Sequence, residues 1–213
     1  MTSDHPRDRT PRPDDAVPEL ADALAIIDAQ RARAEDTRPS GSLLFGLWGT
    51  VWLVGYGGIW LTSRDGSAPS LLAGVVAIVG GVIAVVVTIV HVLHRTRGIA
   101  GTSARQGAMY GWAWPVGFLA QSMIVGGLGR AGASDEVTAL AANAIAALVV
   151  GLLYVAGGML WCATSMYVIG CWMALTGAAA ALVGLPGSYL VMALAGGGGM
   201  LAAGLLETVR ARA

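Results

Sequence analysis

The chain has 213 residues, of which 55% are apolar, 12% are charged and 31 are glycine. Outside residues 1–41, 91–108 and 207–213, the charged residues are Arg64, Asp65, Arg130, Asp135 and Glu136 alone, whereas soluble domains carry charge on about a quarter of their residues. That distribution excludes an ordinary soluble enzyme and predicts an all-α, polytopic membrane protein.

Residues 1–17, rich in Pro, Asp and Arg, read as a disordered cytoplasmic tail. From 18 to 36 the pattern changes: Leu20, Leu24 and Ile27 fall at i, i+4 and i+7, one face of a helix. Asp15, followed by Pro18 and Glu19, marks its start. This predicts a short cytoplasmic amphipathic helix. Two roles suit it. It can lie on the headgroups or against the inner ends of the spans, with its arginines toward anionic lipid. Or it can dock a cytoplasmic partner through Leu20, Leu24 and Ile27.

Six apolar stretches then follow, at about 43–61, 71–92, 108–128, 137–160, 166–183 and 189–206; a transmembrane helix takes about 20 such residues. They make up a transmembrane domain over 43–207, with a cytoplasmic tail at 208–213. The last two stretches meet at Gly184-Leu185-Pro186-Gly187-Ser188, a turn signal. No apolar h-region precedes the first span, so it reads as an internal anchor rather than a signal peptide. Six spans put both termini on one side. Arg7, Arg9, Arg12, Arg31, Arg33, Arg38, Arg95, Arg97, Arg105, Arg210 and Arg212 fall on that side, against Arg64 and Arg130 on the other. The positive-inside rule makes the first side the cytoplasm, in a bacterial inner membrane.

Along the first span Trp48, Trp52, Tyr56 and Trp60 recur every four residues, a slowly drifting stripe. Lipid contact, helix packing or an aromatic-lined cavity would each produce it. The echo of Phe45-Gly46-Leu47-Trp48 in Tyr110-Gly111-Trp112, and more loosely in Tyr167, Gly170 and Trp172, comes at a spacing of about 60 to 65 residues. That is one helical hairpin, so three parallel hairpin repeats are an expectation. His91, His94, Arg95 and Arg97 gather at the end of the second span, as candidates for headgroup or anion contact or as topological anchors. Two histidines lack a third ligand, so no metal site is expected.

The mid-span polar groups are Thr50, Tyr56, Gln121, Asn143, Tyr154 and Thr176, with no ionisable carboxylate or base at that depth. This disfavours proton-coupled transport from within one chain. Gln121 and Asn143, on successive spans, suit interhelical hydrogen bonds or a polar binding site. In the last span Ala195, Gly199 and Ala203 form a small-xxx-small ladder around Gly196-Gly197-Gly198-Gly199, with Gly80, Gly81 and the alanines 178–181 in the same vein. A local break of the helix at a transport site is the alternative.

Several chemistries drop out. All 13 basic residues are arginine. Without lysine there is neither a Walker A loop nor a Schiff base, so any ATP use falls to a partner chain. No serine–histidine pair, facing aspartates or HExxH occurs in the spans, and no enzyme, cofactor or nucleic-acid partner is expected. Cys162 and Cys171 read as unpaired thiols.

Ala-Leu-Ala-Ile-Ile-Asp-Ala-Gln-Arg-Ala-Arg-Ala at 23–34, followed by Leu-Phe-Gly-Leu-Trp-Gly-Thr-Val-Trp-Leu-Val-Gly-Tyr-Gly at 44–57, resembles a group of small, uncharacterised actinobacterial six-span membrane proteins. Some of them carry a loose permease label. The resemblance implies a six-helix inner-membrane protein and carries over no binding or catalytic residue.

Two function classes follow. The first is a permease-type transport component without its own ATPase, with Trp52, Tyr56, Gln121, Asn143 and Gly198 as the candidate substrate path. The second is a non-transporting scaffold, sensor or accessory subunit that docks a cytoplasmic regulatory protein through Leu20, Leu24 and Ile27. Either could work as an oligomer.

Overall fold

A computed structural model describes residues 22–29, 39–210 and 212. Every regular element among them is helical. The elements are α1 (22–29), α2 (Gly41–Ser63), α3 (Leu71–Arg95), α4 (Thr102–Arg130), α5 (Asp135–Leu160), α6 (Thr164–Val183) and α7 (Gly187–Arg210). The predicted tail at 1–17 and Leu20 lie outside the described residues.

Local chemistry sets the helix ends. Ser40, Ser70 and Ser134 cap α2, α3 and α5, each hydroxyl accepting from the amide three residues on, which satisfies a donor that the first turn leaves open. Asp135 and Glu136 add negative charge to the first turn of α5, complementing its dipole. Gly184 ends α6 at φ +75°, a backbone state open to glycine at little cost. In the loop after α2, Ser67 donates to the Asp65 carboxylate from its hydroxyl (2.7 Å) and its amide (3.2 Å), and these bonds hold the Asp65 carboxyl below its ordinary range. Inside α7, Met192–Gly197 is a π-helical segment between two α-helical stretches. The last span is therefore widened in mid-course and not broken.

Five helices, α2, α3, α5, α6 and α7, are long and apolar enough to cross a membrane. The predicted third span, in α4, is not among them. At 29 residues α4 has the length. Tyr110, Trp112, Trp114, Pro115 and Gln121 dilute its apolar character.

The four helices α2, α5, α6 and α7 form the centre, with α3 packed on α2 and α4 on α5 as outer members. The core residues are Phe45 and Trp52 of α2, Ala147, Val150 and Tyr154 of α5, Ile169, Met173 and Ala180 of α6, and Met192 and Met200 of α7. Around them large aliphatic side chains face outward, Leu71 at 84% exposure and Leu182 at 89%. Such a surface suits hydrocarbon and not water.

Two seams bring backbones into close approach. On α5 and α6, a Cβ added to Gly151 would lie 2.7 Å from Gly170 O, and one added to Gly170 would lie 2.6 Å from Val155 N. Gly158 meets the Tyr167 backbone, and Gly177 meets Ala147. On α2 and α7, Gly49 faces Gly197 and Gly204 faces Gly46. This is small-residue packing of the kind that holds membrane helices together, but at other positions than the sequence pattern suggests. The contact face of α7 runs through Ala193, Gly197, Met200 and Gly204. The π segment shifts its phase away from the expected Ala195–Gly199–Ala203 ladder. Gly81 meets nothing, and of the alanines 178–181 only Ala180 is buried.

Candidate functional site

The aromatic stripe of α2 turns inward. Trp52 is buried against the backbone of Gly196 in the π segment, where a Cβ would come within 2.9 Å of its ring. Tyr56 meets Trp52 edge-on, with centroids 5.5 Å apart, and stacks on Tyr189 of α7 at 6.4 Å. Its hydroxyl donates to Asn143 Oδ1 at 3.1 Å, tying α2 to α5. Gln121 Nε2 donates to Ala142 O, the neighbouring carbonyl on α5, at 2.9 Å. Gln121 Oε1 is buried without a partner.

Of the five residues expected to line a path, Trp52, Tyr56 and Asn143 therefore form one packed cluster, and Gln121 joins it only through the α5 backbone. Gly198 stands apart: a Cβ there meets nothing within 4 Å. The two leading surface depressions are shallow grooves on α3 and α4, outside this cluster. Tyr189 was not singled out by the sequence pattern; its place five residues after Gly184, at the head of α7, is the signal that could have found it.

A second aromatic cluster lies nearer the other end. Phe45 meets Tyr154 edge-on at 5.7 Å, Tyr154 meets Trp114 at 5.6 Å, and Tyr110 meets Trp161 at 4.7 Å. Here the hairpin echo takes physical form. Trp48 Nε1 donates to Thr88 Oγ1 (3.1 Å), Tyr110 Oη to Leu153 O (3.0 Å) and Trp172 Nε1 to Ala195 O (2.8 Å). Each bond ties the first helix of a hairpin to the second. The three donors stand 62 residues apart in each step. The equivalent of Trp48 in the second hairpin is thus Tyr110, and Trp112 is exposed.

The expected polar cluster divides. His91 Nε2 accepts from the Ser40 amide at 3.0 Å, latching the end of α3 to the start of α2. Glu207 of α7 is half-buried next to Gly41, where a carboxylate complements the N-terminus of α2. His94, Arg95 and Arg97 are exposed. Among the described residues, no three His, Cys, Asp or Glu side chains are placed to share a metal ion. In α1, Leu24 and Ile27 of the expected docking face are exposed, as is Ile26.

Comparison with family models, with curated proteins and with solved structures finds no match to this chain.

Proposed function

We propose that the chain is an integral membrane protein of six spans, with both termini cytoplasmic in a bacterial inner membrane, acting as an accessory or scaffold subunit that docks a cytoplasmic protein through its N-terminal helix. One observation carries the choice. The side chains best suited to line a path, Trp52, Tyr56 and Asn143, are spent on one another and on α7, while α1 leaves Leu24, Ile26 and Ile27 exposed. The arginine asymmetry supports the orientation. The resemblance of 23–34 and 44–57 to six-span actinobacterial proteins supports the span count. α4 enters the proposal as a span because its neighbours on both sides are spans and its length suffices.

A transport component coupled to a separate ATPase is the second reading. The π-helical segment Met192–Gly197 beside Trp52 favours it, since such segments recur at functional sites and give a helix room to rearrange.

Two experiments test these readings. A fluorescent reporter fused after Ala213 should fluoresce in the cytoplasm, because an even number of spans returns the chain to its starting side; a periplasmic C-terminus would remove α4 from the spans. Purification in mild detergent, with and without residues 1–36, should show a cytoplasmic protein lost on deletion. Unchanged company would sink the docking reading, and a co-purifying ATPase that survives the deletion would favour transport.

A further inference from the structure

A shallow groove between α2 and α3 is lined by Leu43, Val86, Val87, Val90, His91 and His94. Its chemistry is graded. On α3, His91 stands four residues after Val87 and His94 four after Val90, so each imidazole lies one turn, about 5.4 Å, beyond a valine on the same face. The groove is therefore aliphatic along its length and polar at one end. Arg95 and Arg97, both exposed, follow at that end. The Ser40 amide donates to His91 Nε2; in the neutral ring this puts the proton on Nδ1, so the remaining polar group of His91 is a donor. Glu207, half-buried next to Gly41, is the carboxylate α7 brings to this end.

We infer that this groove holds one anionic phospholipid, an acyl chain along Leu43, Val86, Val87 and Val90 and the phosphate at His91 and His94. Charge complementarity selects the headgroup: the polar end offers donors and arginine cations, each worth about 1 kcal/mol toward an anionic lipid surface. The aliphatic walls select a lipid over a free anion. The inference rests on the membrane reading above and not on the orientation or on either function.

The test reconstitutes the full chain in nanodiscs of equal phosphatidylcholine and phosphatidylglycerol, then counts by native mass spectrometry the lipids that stay bound on release. Wild type should retain phosphatidylglycerol with about a fivefold preference. Val90→Trp, which fills the groove, and the double variant His94→Ser/Arg97→Ser, at exposed positions, should each bring that ratio to about one. Leu182→Trp, on an exposed site of α6, should leave it unchanged. Wild-type retention in the bulk lipid proportion would overturn the inference, as would undiminished preference in the double variant. A protein that fails to enter the nanodisc would overturn the membrane reading as well, so the two failures are distinct.

Discussion

Gly170→Leu is expected to abolish recovery of a monodisperse protein, whereas Gly198→Leu, in the glycine run of α7, should elute and melt like wild type. The difference comes from what surrounds each Cβ. At Gly170 the new carbon would lie 2.6 Å from Val155 N, 2.7 Å from Gly151 O and 3.0 Å from Tyr154 C. All three are backbone atoms of α5, so no side chain can rotate away. The helices would have to separate along the most extensive contact of the bundle. Overpacking against side chains costs about 1–3 kcal/mol; against a backbone wall the cost exceeds that range and consumes much of a typical stability of about 5–15 kcal/mol. At Gly198 nothing lies within 4 Å, and leucine is a better helix former than glycine by up to about 1 kcal/mol. Size-exclusion elution and thermal unfolding in detergent read both results. A Gly170→Leu protein that melts at the wild-type temperature would mean that α5 and α6 are not in backbone contact.

The contrast between Gly170 and Gly198 also marks what a linear sequence can convey. Helical class was legible because apolar runs of membrane length have few alternatives, and the hairpin echo was legible as a spacing. Which face of each helix turns inward was not. In soluble proteins the polar face points outward and betrays the inner one. Here α3 is apolar all round, and lipid accepts any aliphatic side chain, so Val86 and Ala84 look alike in sequence although only Ala84 is buried. The π segment compounds this on α7, since one extra residue per turn rotates everything after Met192 and moves the seam from Gly199 to Gly197 and Gly204. The amides were legible as interhelical bonds, and both form one. Their partners were not, because a backbone carbonyl such as that of Ala142 has no signature. In α4 the aromatic residues and Gln121 that pack on α5 are the ones that dilute its apolar character, so its packing and its membrane signal work against each other.

Trp52→Ala should cost about 3 kcal/mol of stability, the low end of the range for truncating a buried aromatic, because a bundle interior in lipid forgoes most of the water-transfer term. Lost flux or lost docking in that variant would therefore say little by itself. A cycle with Gly196 removes the ambiguity. Gly196→Ala alone puts a carbon 2.9 Å from Trp52 Cε3 and 3.1 Å from Cζ3, so the ring must shift, at a cost of about 1–2 kcal/mol. Trp52→Leu empties part of that space. In its background Gly196→Ala should be less damaging, with a favourable coupling of about 1 kcal/mol, within the range for residues in contact. Additive losses would show that the ring does not press on α7 there. The double variant then separates the functions, because it restores packing without restoring the indole. If the protein is an accessory subunit, partner retention in all three variants should follow their melting temperatures. If Trp52 touches a transported compound, flux should stay lost in the double variant although its stability has recovered.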